Sequence, residues 1–181
     1  MKSPKPIIAA ALLCGAIAMP ATIASAQQQS LKDQLVGAWM LVSWEQTRPD
    51  GSKFQNFGTD PRGIQIFSAD GRLFVMYARA DLPQIAASDR NKATPQEAQA
   101  IVGGSVAYYG TYTVDEAGKT IVRRIDASTF PNQVGRELKL VVNALTADEL
   151  KYTNPAPMSG GQIQSTLRRV TPATIGGPAG R

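Results

Sequence analysis

"LVGAWMLVSWE", residues 35–45, holds both tryptophans of the chain, Trp39 and Trp44, in one short apolar segment. Its residues alternate as in a half-buried strand. Gly37-Ala38-Trp39 opens it, just after the helical-looking "LKDQL" at 31–35. By a period of two, Trp39, Leu41, Ser43 and Glu45 share one face. Trp44 then falls on the other, where it is expected to pack under a helix or a loop. The segment reads as the first strand, 37–47, of an all-β domain.

Working outward, strong turn signals separate further strands. "RPDG" at 48–51 turns away from the first. "GIQIFS" (63–68) and "RLFVMYAR" (72–79) flank an Asp-Gly pair, a strong hairpin signal. Later runs lie at 106–114, 120–128, 136–143, 149–154 and 162–170. One excursion breaks the β pattern. Thr94, Pro95 and Glu97 have the spacing of a capping box, with proline at the first helical position, and Gly103-Gly104 supplies a stop. A short helix, Pro95 to Val102, is therefore expected between strands three and four. Eight consecutive antiparallel strands suggest an up-and-down barrel or a sandwich. The barrel is preferred because closure removes both sheet edges, which suits a chain without disulfides. Gly110, in mid-strand, fits a bend at a barrel corner.

The first residues carry a different message. Lys2 and Lys5 precede an apolar run from Ile7 to Met19, and Ala24-Ser25-Ala26 is an A-x-A cleavage site. Residues 1–26 read as a signal peptide, 27–170 as one barrel domain and 171–181 as a disordered, Pro- and Gly-rich tail. The expected location is outside the cytoplasm, periplasmic or secreted. Cleavage would remove Cys14, the only cysteine, so the mature chain could form no disulfide. Its core must hold it together. The net charge of +5 drops to a mild, scattered excess once Lys2 and Lys5 leave. With no basic stripe, nucleic-acid binding is not expected. No membrane span is expected in the mature chain, which is expected to be a monomer.

There is no histidine. That excludes a Ser-His-Asp triad, a Cys-His pair and any histidine metal site. No carboxylate cluster has calcium-loop spacing. Neither a metal nor a cofactor is expected.

Gly37-x-Trp39 resembles the opening motif of lipocalins. There the tryptophan plugs one end of the barrel and an arginine from the last strand stacks on it. Of the two candidates here, Arg169 shares a face with Ile163 and Leu167, so Arg169 is assigned to Trp39. The wider chain resembles the bacterial and fungal lipocalin-like domain family. "LVGAWMLVSWE", "FGTDPRGIQIFSADGRLFVMYAR", "GSVAYYGTYTVDEAGKTIV" and "FPNQVG" carry the resemblance over about residues 33–170. It implies a small calycin-type barrel and no settled activity. Members often have two histidines in the strand that reads Ile121 to Asp126 here, and a tryptophan where Gln133 stands. No role for those groups can be carried over.

Polar residues at inward parity are the candidates for ligand binding: Glu45, Tyr77, Tyr109 and Arg123, with Asp126 as a further one. A glutamate and an arginine inside one barrel should pair, because an unpaired buried charge is costly. The function these features support is binding of a small hydrophobic molecule inside the barrel. The alternatives are a small-molecule cyclase or isomerase using the same cavity, with Glu45 and a tyrosine as acid and base, and a filled barrel that binds proteins through its outer surface. An eight-stranded barrel holds either packed side chains or one small ligand.

Overall fold

A computed structural model describes residues 29–171. The signal peptide and nearly all of the tail expected from the sequence lie outside those residues. A short helix, α1 (Leu31–Leu35), leads into β1 (Gly37–Thr47). Then come β2 (Lys53–Phe54), β3 (Arg62–Phe67), β4 (Arg72–Ala78), helix α2 (Pro95–Gly104), β5 (Ser105–Asp115), β6 (Thr120–Ser128), β7 (Glu137–Leu145), β8 (Glu149–Asn154) and β9 (Gln162–Arg169). The strand order is β2-β1-β3-β4-β5-β6-β7-β8-β9, all antiparallel, and β1 also pairs with β9. The eight long strands thus form a closed up-and-down barrel. The helix sits between its third and fourth long strands, as expected.

The two-residue β2 was not anticipated. After the turn at 48–51 the chain doubles back, so that Phe54 pairs with Gln46 and Lys53 with Thr47. The start of β1 pairs instead with β3, Trp39 opposite Gln65. Helix α2 begins as its capping box requires. Thr94 Oγ1 accepts from Glu97 N (3.2 Å), and Glu97 Oε2 accepts from Thr94 N (2.7 Å).

Three bulges interrupt the ladders; one leaves Asn143 as an extra residue on β7, and the other two concern the candidate site residues. Along β1 and β9, Leu41 pairs with Leu167 but Ser43 with Thr166, leaving Val42 as an extra residue. Trp39 and Leu41 point inward before it, Trp44 and Gln46 after it. A bulge inserts one residue and shifts the alternation. The strict period of two therefore fails here: Trp44 joins the interior and Glu45 leaves it. The second bulge pairs Tyr109 with Ala127 but Gly110 with Ile125, making Asp126 the extra residue. A Cβ on Gly110 would lie 1.9 Å from the Arg124 carbonyl oxygen, so only glycine fits this approach.

The core is a stack of inward residues that includes Trp39, Phe67, Val75, Ile121, Ile125, Leu150 and Leu167. Outside, Ile66, Phe74 and Tyr109 are exposed and follow one another across β3, β4 and β5. This apolar outer row accounts for a reversal on β3. Ile64 and Ile66 alternate with Gln65 in the sequence, yet it is Gln65 that is fully buried.

Candidate functional site

One end of the barrel is shut. The indole of Trp39 donates to the Leu35 carbonyl (2.9 Å), which ties α1 across the opening. Arg169 lies over the same ring, its Cζ 4.0 Å from the ring centroid. Its guanidinium donates to the carbonyls of Val36 (2.8 Å), Gln34 (2.5 Å) and Ala147 (2.6 Å). Gly37 has a φ of +128°, and a Cβ there would meet Arg169 Nη1 at 3.0 Å. The glycine, the tryptophan and the last-strand arginine therefore form a single plug.

The opposite end is open. A cavity of about 630 Å³ enters between α2, β2 and the loops at 130–133 and 157–159. Trp44, Phe57 and Tyr77 form one wall, in successive edge-to-face contacts with ring centroids 5.3 and 5.7 Å apart. Phe54, Val102, Phe130 and Met158 stand at the mouth, and all four are exposed. Val102 shows 72% of its surface. Gln46 holds the mouth in shape, its Nε2 donating to Ser159 Oγ (2.8 Å) and the Gly160 carbonyl (2.7 Å).

Deeper in, the lining turns polar. Arg123 is 1% exposed. Its Nη1 donates to the Tyr108 hydroxyl (3.0 Å), while its Cζ lies 5.0 Å from the centre of the Tyr152 ring and 5.4 Å from that of Phe67. Nε and Nη2 have no hydrogen-bond partner. Nearby, Gln65 Oε1 accepts from Tyr77 (2.8 Å) and Tyr152 (3.1 Å), and the two hydroxyls are 3.1 Å apart. Gln65 Nε2 is also without a partner. Burial works against the Arg123 charge; attraction to Tyr152, Tyr108 and Tyr77 opposes it in alkali, where phenols ionise, and there holds the pKa above the ordinary arginine value. Burial likewise pushes the Tyr77 and Tyr108 hydroxyls up, Tyr77 the further.

The candidates chosen from the sequence divide. Tyr77 and Arg123 face the cavity. Glu45, Tyr109 and Asp126 do not. The Val42 bulge turns Glu45 outward, where it pairs with Lys53 at 2.8 Å. Asp126 lies outside and faces Arg72 at 3.5 Å. Tyr109 is 51% exposed, because Tyr108, Gly110 and Tyr112 take the inner face of β5. The expected Glu45–arginine pair is therefore absent. Among the described residues no aspartate or glutamate is buried, and none forms an ion pair with Arg123.

Sequence reasoning passed over Trp44, Gln65, Tyr108 and Tyr152. Two of these left a signal. Val106, Tyr108, Tyr112 and Val114 make one face of β5 more apolar than the face carrying Thr111 and Thr113. Across the hairpin, Gln65 pairs with Val75 and Phe67 with Leu73. Since Leu73, Val75 and Tyr77 share a face, that register alone puts Gln65 inside.

This closed barrel, plugged at one end and hollow at the other, is of the lipocalin type. Residues 36–171 match the lipocalin-like domain family, and the chain belongs to it. The chain is also similar to two solved structures from Bacteroides uniformis ATCC 8492. One is described as a lipocalin-like protein, with 16% identity, 76% of this chain and 99% of that one covered, and a TM-score of 0.42. The other, solved by NMR, shows 18% identity, covers 77% and 92%, and has a TM-score of 0.43. No curated protein matches the chain.

Proposed function

We propose that the protein is an exported carrier that binds a small hydrophobic molecule inside its barrel. The observation that carries this is the cavity of about 630 Å³, walled by Trp44, Phe57 and Tyr77 and open through an exposed apolar rim. Ligand pockets commonly have volumes of roughly 300–1,000 Å³, mostly apolar linings and a few placed polar groups. Such a volume weighs against the filled barrel. The lack of an inward carboxylate among the described residues weighs against an acid–base enzyme built on Glu45, which faces away. Export rests on the basic, apolar and A-x-A series of residues 1–26. Among the described residues, no helix is long and apolar enough to cross a membrane.

Native mass spectrometry of protein purified from its source tests the binding. A co-purifying small molecule, lost on denaturation, is the expected result. Titration with an apolar fluorescent probe gives a second readout. Trp44 lines the cavity whereas Trp39 lies in the plug, so quenching should disappear in Trp44→Phe and persist in variants at the closed end. Saturating probe with no binding would sink the proposal. N-terminal sequencing tests export: the mature chain should begin at Gln27.

A further inference from the structure

The orphaned groups deep in the cavity share one property: all are donors. They are Arg123 Nε, Arg123 Nη2 and Gln65 Nε2. Nε and Nη2 form one edge of the guanidinium fork, the edge that can hold both oxygens of a carboxylate at once. The third nitrogen, Nη1, is engaged with Tyr108. Since that hydroxyl accepts from Arg123, its own proton is available to an acceptor. The cation has no protein counter-ion among the described residues; besides the Tyr108 hydroxyl, the faces of Phe67 and Tyr152 attend it. A lone buried cation is costly and stays so until an anion joins it.

Resting on the binding reading above, we propose that the ligand is an amphiphile with a single carboxylate, its head on the Nε/Nη2 edge of Arg123 and its apolar body extending toward the mouth. The charge count selects a monoanion, one negative group for one cation; a phosphate monoester would bring an excess. The apolar rim suits the body of such a molecule. Arg123 has almost no surface free, so seating the head requires the neighbouring tyrosine side chains to shift. The resulting ion pair is dry and therefore strong.

The test compares dodecanoate with dodecan-1-ol, the same chain without the charge, by displacement of an apolar probe from the purified mature chain at neutral pH. The carboxylate should bind at least tenfold more tightly. Arg123→Met should erase that preference while the alcohol still binds. Tyr108→Phe, which keeps the cation, should weaken dodecanoate several-fold more than it weakens the alcohol. Equal affinities in the unaltered protein would overturn the carboxylate head and leave the cavity reading standing. Binding of neither would overturn both. Tighter binding of dodecyl phosphate than of dodecanoate would overturn the monoanion.

Discussion

The guanidinium carbon of Arg169 lies 4.0 Å from the centre of the Trp39 ring, with three backbone carbonyls fixing its nitrogens. The contact joins the first long strand of the barrel to the last and ties both to α1 through the Gln34 and Leu35 carbonyls. Trp39→Ala removes a fully buried indole and should cost about 3–5 kcal/mol in denaturant unfolding. Arg169→Met should lose about 1.5–3 kcal/mol through its charge-assisted hydrogen bonds. Near-native stability of both variants would show that the plug is not what closes the barrel.

Arg123→Met should behave in the opposite sense. The replacement removes a buried charge that no protein carboxylate compensates. Replacing buried ionic groups with apolar ones of similar volume is often neutral or stabilising by about 1–4 kcal/mol. The thermal midpoint of the ligand-free protein should hold or rise. A clear fall would mean that the hydrogen bond to Tyr108 and the two ring contacts outweigh the desolvation of the cation.

Glu45→Gln should leave ligand affinity unchanged. Its carboxylate is outside the barrel, paired with an exposed Lys53. Stability should change by no more than about 1 kcal/mol, as for other surface ion pairs. A change in affinity would contradict the outward placement.

Gly110→Ala tests the second bulge. At an ordinary strand position alanine is favoured over glycine by about 0.5–1 kcal/mol. Here the added carbon would strike the Arg124 carbonyl oxygen. The sign should reverse, with a clear loss of stability by chemical denaturation.

Alkaline titration should separate the tyrosines. Burial raises the folded-state pKa of Tyr77, Tyr108 and Tyr112 above the ordinary 10.0. Groups that hold their protons more tightly when folded contribute stability that is complete below pH 10 and is lost as pH rises through their folded values. The protein should therefore destabilise above pH 10. Absorbance near 295 nm should show these three phenols ionising late or together with unfolding. Their ionisation near pH 10 in the still-folded barrel would contradict the burial.

The barrel, its helix and its plug were legible because each leaves a local mark. Asp70-Gly71 sets a hairpin, Thr94-Pro95-x-Glu97 starts α2, and Gly37-x-Trp39 needs only the arginine at Arg169 to complete it. Half of the cavity was not legible. Strand parity carries side-chain direction along a strand only while no residue is inserted, and nothing in "MLVSWE" marks Val42 as the insertion. Glu45 and Trp44 were exchanged for that reason. Gln65 was hidden by Ile64 and Ile66, whose apolar side chains sit on a face turned outward. Asp126 and Tyr109 kept the alternation of their own strands, but alternation does not say which of two faces is the inner one.

The same insertion at Val42 uncouples the mouth of the barrel from its plug. The plug lies before it and is anchored by Trp39 and Arg169; the cavity wall lies after it. Deleting Val42 would remove the extra residue and restore regular pairing with β9, leaving Trp39 and Leu41 inward before the join and Trp44 and Gln46 inward after it. Regular pairing of the strand with Val42 retained would instead carry Glu45 inward and Trp44 out. The bulged strand and a strand without the Val42 codon would therefore present the same indole to the cavity.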